Sequence, residues 1–427
     1  MYSLPVGTAS REAQPREKHV VAFPAMLSDA SSTLAASTTS STRDAAPPAS
    51  RDRASMRPHV FLIPGYLGFR GKQRYSGYWD TVEPLLTEHG FTCHAVMTEP
   101  VAIVARRART LRNAIVAACG DDEDDAPIHL FGHSMGGLDS RYLLSPGASI
   151  RLPDDLRARV QTVVTLSTPH YGTPIADFYQ SLRAEDMLGF IGRLAARWST
   201  DGRLDQASRF IKEHRRHIDR VLSTAGREEF ARILQGVAAA DPEDYSEVRA
   251  YLTSLARYRG ALRRLRVHYM GRFNDRIVDD PDMRYVSFVS GAEPVRARDM
   301  ETLIYRLGTF IAGGVGRLAI PALPDGGVIP ARQVISAFPE TDDPETDAND
   351  CLTLPPKLSD GVVPSSSQFW GEFAGYVPLD HHAVIGRFNL LPAREPDLRE
   401  LYGRVAAELR RTGSPAKGDD DPQPPRA

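Results

Sequence analysis

Short apolar runs recur along this chain, each ending in a turn signal. His59 to Phe69, "HVFLIPGYLGF", runs into Pro-Gly and reads as a buried strand entering a loop. Phe91 to Met97, "FTCHAVM", reads as a second strand, "PIHLF" as a third and Val160 to Leu166, "VQTVVTL", as a fourth. Between them, Val101 to Cys119 and Met135 to Leu144 read as helices; Ile103, Ala114 and Ile115 are among the apolar positions of the first. Strands that alternate with helices predict an α/β class, with a mostly parallel sheet covered on both faces.

The alternation stops after the fourth strand. From about Ile175 to Leu265 the chain reads as helices, with Phe210, His214, Ile218 and Val221, and then Val248, Leu252, Leu255, Leu262 and Leu265, at roughly helical spacing. This segment suits a helical insertion with a solvated arginine face, and its position also suits a lid over a cleft. A strand returns at "RYVSFVSG", Arg284 to Gly291. Leu398, Leu401, Tyr402, Val405 and Leu409 mark a terminal amphipathic helix. The expected organisation is a disordered segment over 1–57, a first core part over 58–175, a helical lid or cap over 176–270, and a second core part over 271–410. The second part carries an insertion over 292–350, and a disordered tail occupies 411–427.

Composition sharpens these limits. The 427 residues, 42% hydrophobic, allow one large α/β domain with insertions or two to three ordinary domains. The N-terminal stretch, with "SSTLAASTTSSTRDAAPPAS", is too poor in apolar groups to offset its ordering entropy. Met56, just before the first strand, is an alternative start of translation. A net charge of −2 gives no basic surplus that would point to nucleic acid. Three cysteines describe no disulfide framework, and none has metal-ligand spacing. The nearest approach to a membrane span, Leu303 to Leu323, is interrupted by Arg306 and Arg317. The first residues lack the compact apolar region of a secretory signal, a reading that favours the cytoplasm over export.

The chemistry centres on "HLFGHSMGGLDSRYLL", His129 to Leu144. A bare G-x-S-x-G pattern is weak, with on the order of 0.1 chance matches in a chain this long. Here Gly132-His133-Ser134-Met135-Gly136 falls between a predicted strand and a predicted helix, the setting of a nucleophile elbow. Ser134 is therefore the candidate nucleophile. A serine hydroxyl needs a base, and an elbow of this kind requires an acid and then a histidine further along the chain. Of twelve histidines, His381 and the alternative His382 follow an acid late in the sequence. Asp360, in "LSDGVVPSSSQFW", is the candidate acid, with Gly361 supplying a turn. Asp275, Asp347 and Asp350 compete for that role. His133 and His170 stand in the wrong order for the base and read as structural or pocket residues. Two donors must meet the oxyanion. The N–H of Met135 is one; the loop after the first strand offers that of Tyr66, with Leu67 as the alternative.

Together "FLIPGYLGF", "GHSMGGLDSRYLL", "LSTPHYGTPIADF", "SDGVVP" and "DHHAVIG" resemble the bacterial triacylglycerol lipases and esterases of the α/β-hydrolase superfamily, over roughly 58–175 and 284–410. The resemblance implies Ser134 as nucleophile, His381 as base, Asp360 as acid, and Tyr66 and Met135 as oxyanion donors. It departs in two places. Pro64-Gly65 stands where those lipases usually have His-Gly. Ala383 stands where many secreted members carry a calcium-binding aspartate two residues after the histidine, so no such metal site is expected. The expected activity is that of a serine carboxylic-ester hydrolase of the lipase kind. It would need no cofactor and would act on acyl-ester or lipid substrates, with a lipid–water interface as one setting for them. An acyltransferase or polyester depolymerase would use the same triad. An inactive lipid- or partner-binding relative would lack a triad member, and none is missing.

Overall fold

The structure, a computed structural model, describes residues 57–68, 77–120, 125–181, 253–254, 257–291, 321–335, 351–386 and 395–411. Most of the expected lid, the expected disordered segments up to residue 56 and from 412, and much of the 292–350 insertion lie outside these residues.

The first strand, β1 (His59–Ile63), explains the continuous apolar runs. Phe61 and Ile63 pack into one apolar layer, and Val60 and Leu62 into the opposite one. A strand covered on both faces has no polar alternation to display. Five further strands join it in register: β2 (Thr92–Ala95), β3 (Ile128–His133), β4 (Val160–Leu166), β5 (Arg284–Ser290) and β8 (Glu372–Val377). Every pairing in the order β2-β1-β3-β4-β5-β8 is parallel. Two short strands, β6 (Val328–Pro330) and β7 (Cys351–Thr353), form a separate antiparallel pair.

Helices cover both faces. On one lie α2 (Val104–Cys119) and α3 (Met135–Leu144). The buried stripe of α2, Val104, Ala108, Leu111, Ile115 and Cys119, recurs at helical spacing. On the other face lie α1 (Val82–Glu88) and α8 (Glu395–Arg410), the latter through Leu398, Leu401, Tyr402, Val405 and Leu409. The remaining described helices are α4 (Asp154–Arg159), α5 (Pro174–Ser181), α6 (Ala261–Arg264) and α7 (Val267–Arg276). A mostly parallel sheet between helix layers, with a sharp strand-to-helix turn after β3, is the α/β-hydrolase arrangement.

Element bounds differ from the sequence reading at several points. The helix expected from Val101 begins at Val104, because Ala102 closes a turn on Glu99 and Ile103 is an extended N-cap. The second strand is shorter at both ends than Phe91 to Met97. Helices α1 and α4 and strand β8 had no expectation; the two helices are too short for a helical period to emerge, and Glu372 and Gly375 break the apolar run of β8. The strand order reverses beside β1, whose neighbours are β2 and β3. The loops leaving β1 and β3 therefore meet where parallel sheets place their ligand crevice. Among the described residues no helix is long and apolar enough to cross a membrane.

Candidate active site

Ser134 sits between the end of β3 and the first turn of α3, with φ 55° and ψ −128°. Such a conformation costs a residue with a side chain roughly 1–3 kcal/mol and persists only where its surroundings impose it. Here the Ser134 N–H donates to the Leu166 carbonyl at 2.9 Å, tying the turn to the end of β4. The flanking glycines leave the space this turn needs. A Cβ on Gly136 would collide with the Ile63 carbonyl oxygen, and one on Gly132 with the backbone of Gly136 and Gly137. The tight turn thus presses α3 against both β1 and β3.

His381 lies in the loop after β8. Its Nε2 is 3.0 Å from Ser134 Oγ, and its Nδ1 is 2.7 Å from Asp360 Oδ2. The backbone adds to this: the His381 N–H donates to the Asp360 carbonyl at 2.9 Å. His382, the alternative base, sets its ring at 88° to that of His381 and accompanies it without replacing it. Asp360 is buried in a turn where Gly361 takes φ 90°. Its Oδ1 accepts the N–H groups of Val362 and Val363 at 2.9 and 2.7 Å. Its Oδ2 also accepts from Ser290 Oγ at 2.9 Å and Gln368 Nε2 at 3.1 Å. Five donors, His381 included, therefore hold one carboxylate. Of the competing acids, Asp275 is exposed on α7, and Asp347 and Asp350 lie outside the described residues.

The loop leaving β1 passes directly over the serine. A Cβ on Gly65 would stand 2.7 Å from Ser134 Cβ and 3.1 Å from its Oγ. Tyr66, the expected donor, is the next residue on this loop. Leu67, the alternative donor, has φ 59° and commits its N–H to the Pro100 carbonyl at 2.9 Å. Met135 opens α3, where first-turn N–H groups have no partner within the helix and the helix dipole favours negative charge.

Residues that sequence reasoning did not single out support this loop. Arg107 of α2 donates through Nε to Asp139 Oδ2 of α3 at 2.8 Å, with both side chains fully buried. The same guanidinium donates to the carbonyls of Pro64 and, at 3.0 Å, Glu99. Burial pushes the Asp139 carboxyl up, against the pull of Arg107. In the sequence Arg107 is one of four arginines in "VARRARTLR"; its spacing of three from Val104 and four from Leu111 is the signal that places it on the buried face. His170 is structural. Arg141 donates to its Nδ1 at 3.3 Å, and its ring stacks on Trp370. Burial first and Arg141 second hold its pKa well below the usual histidine value, so the ring is neutral.

No protein-family model matches the chain. Two curated relatives are triacylglycerol lipases. That of Pseudarthrobacter phenanthrenivorans is 27% identical over 149 residues, covering 34% of this chain and 43% of that protein. That of Burkholderia plantarii is 27% identical over 149 residues, covering 34% of this chain and 38% of that protein. The chain thus aligns with about two fifths of the length of these relatives. Among solved structures, EstA from Clostridium botulinum is similar with a TM-score of 0.44 and 17% identity, over 84% of this chain and 88% of that one. The Staphylococcus hyicus lipase is similar with a TM-score of 0.42 and 16% identity, over 85% of this chain and 97% of that one. Over the aligned third of its length, the chain is similar to bacterial triacylglycerol lipases.

Proposed function

We propose that this protein is a serine hydrolase of carboxylic esters, acting on acyl esters of the triacylglycerol kind. The observation that carries the reading is the hydrogen-bonded row Ser134 Oγ, His381 Nε2, His381 Nδ1, Asp360 Oδ2, with distances of 3.0 and 2.7 Å. Similarity to triacylglycerol lipases over part of the chain supports the choice of ester substrates.

In this reading, His381 Nε2 removes the hydroxyl proton as Ser134 Oγ attacks the ester carbonyl carbon. The carbonyl π pair moves onto oxygen, and the N–H groups of Met135 and Tyr66 receive the resulting oxyanion. The imidazolium returns its proton to the departing alkoxide, and the C–O bond breaks to leave alcohol and acyl-Ser134. Water repeats the sequence, giving up a proton to His381 and releasing the carboxylic acid with Ser134 restored. Asp360 keeps the hydrogen of His381 on Nδ1 and stabilises the imidazolium in both halves.

A fluorophosphonate probe and a series of p-nitrophenyl esters from acetyl to palmitoyl test the proposal together. Wild type takes the probe and hydrolyses part of the series; folded Ser134→Ala does neither. Equal labelling of the two proteins, or no hydrolysis anywhere in the series, overturns the reading.

A further inference from the structure

His133, the residue before Ser134, belongs to a hydrogen-bonded chain that the ester-cleavage scheme does not use. The Gly65 N–H lies 2.9 Å from Tyr78 Oη, Tyr78 Oη lies 2.6 Å from His133 Nδ1, and His133 Nε2 lies 2.9 Å from the His381 carbonyl oxygen. The end groups settle where the hydrogens are. A backbone N–H can only donate, so Tyr78 Oη accepts from Gly65. A carbonyl can only accept, so His133 carries its hydrogen on Nε2. That leaves Nδ1 bare to accept the phenolic hydrogen of Tyr78. One tautomer satisfies every group, and Tyr78 and His133 are both buried.

The chain joins parts of the site that are far apart in sequence. Gly65 belongs to the loop lying over the hydroxyl, Tyr78 to the turn before α1, His133 to β3 and His381 to the loop after β8. The His381 peptide is thereby held on both sides: its N–H donates to the Asp360 carbonyl, and its carbonyl accepts from His133. The two rings also pack, with centroids 4.8 Å apart. Tyr78 does for the Gly65 loop what His133 does for the base. The strand that delivers the hydroxyl therefore also holds the two loops that must address the same substrate carbonyl.

We propose that Tyr78 and His133 are positioning residues of the ester-cleaving site, acting as one unit to keep the Gly65–Tyr66 loop and His381 in register with Ser134. The inference rests on the reading of Ser134 as nucleophile. Displacement of a reacting group by about 1 Å costs on the order of a hundredfold in rate, so such a unit controls turnover more than substrate binding.

The test compares wild type, Ser134→Ala, Tyr78→Phe, His133→Phe, His133→Gln and the double variant Tyr78→Phe/His133→Phe, using p-nitrophenyl butyrate, with thermal melts to establish folding. The expected result is a kcat lower by roughly tenfold to a hundredfold in Tyr78→Phe and His133→Phe, with KM within about twofold of wild type. His133→Gln, whose amide can still donate to the His381 carbonyl, recovers part of the loss. The double variant is no slower than the slower single variant, because both changes break one chain. Wild-type kcat in Tyr78→Phe overturns the proposal, as do losses that multiply in the double variant or that fall on KM alone. If the His133 variants fail to fold, the kcat of Tyr78→Phe decides. Full activity in Ser134→Ala instead removes the underlying reading and is scored separately.

Discussion

His381 Nε2 stands 3.0 Å from Ser134 Oγ, although 247 positions of sequence separate the two residues. The imidazole reaches the hydroxyl through β8, a strand at the edge of the sheet, while the serine leaves the sheet from β3. The contact therefore depends on β3, β4, β5 and β8 pairing in that order. Removing either partner breaks it. In the proposed mechanism His381→Ala and Ser134→Ala lose all but a residual activity, and Asp360→Asn, which favours the wrong tautomer, lowers kcat by roughly 10⁴-fold. His382→Ala keeps kcat within about tenfold. Steady-state kinetics on a soluble ester measure all four; comparable losses in the His381 and His382 variants would contradict the assignment of the base.

Gly136→Ala tests the packing of the elbow without touching a polar group. The new methyl group would collide with the Ile63 carbonyl oxygen, and β1 cannot yield without disturbing its pairing with β2 and β3. Overpacking of this kind costs about 1–3 kcal/mol or more. The expected outcome is a lowered melting temperature together with lost probe labelling. A variant with wild-type stability and labelling would mean that the turn is less tightly enclosed.

The Arg107–Asp139 pair has a predictable asymmetry. Arg107→Met leaves Asp139 buried without its cation and removes a donor from the Pro64 carbonyl. Loss of one partner from a buried pair costs about 3–5 kcal/mol. Replacing both, as in Arg107→Met/Asp139→Leu, should restore much of that stability but not the hold on the loop leaving β1. Urea denaturation and kcat, measured on the same two variants, separate stability from positioning. Equal stability losses in both would refute the uncompensated-charge explanation.

Stability should fall as the solution becomes mildly acidic. Burial pushes the His129 imidazole from the usual 6.5 down to about 4, and His170 is lowered in the same sense. Above pH 6.5 neither the folded nor the unfolded chain binds the extra proton. Between 6.5 and 4 the unfolded chain takes it and the folded chain does not, so unfolding is favoured. For His129 the loss from pH 7 to pH 5 is about 2 kcal/mol. Urea midpoints at the two pH values, for wild type and His129→Phe, check this. A slope no shallower in the variant would exclude His129 as its source.

The parts legible in the sequence are those whose cause is local or nearly so. Strand β4 and helix α3 lie at the expected residues, because the β-branched residues of "VQTVVTL" favour an extended backbone, and because glycines surrounding a serine accommodate a sharp turn. The buried stripe of α8 follows from its periodicity in the same way. Helix α1 carries too few residues for a period to emerge, and β8 is interrupted by Glu372 and Gly375; contacts from α8 and β5 stabilise them. No local pattern distinguishes His381 from His382. Contacts from remote segments make that distinction, through Asp360 and Ser134, and they also supply the partners of Arg107, Asp139 and the Pro64 carbonyl. The sequence by itself determined the strands, the elbow and the small set of groups able to serve it. Only the tertiary structure decided which of them meet, because hydrogen bonds act over about 3 Å and the sheet order brings remote segments within that distance.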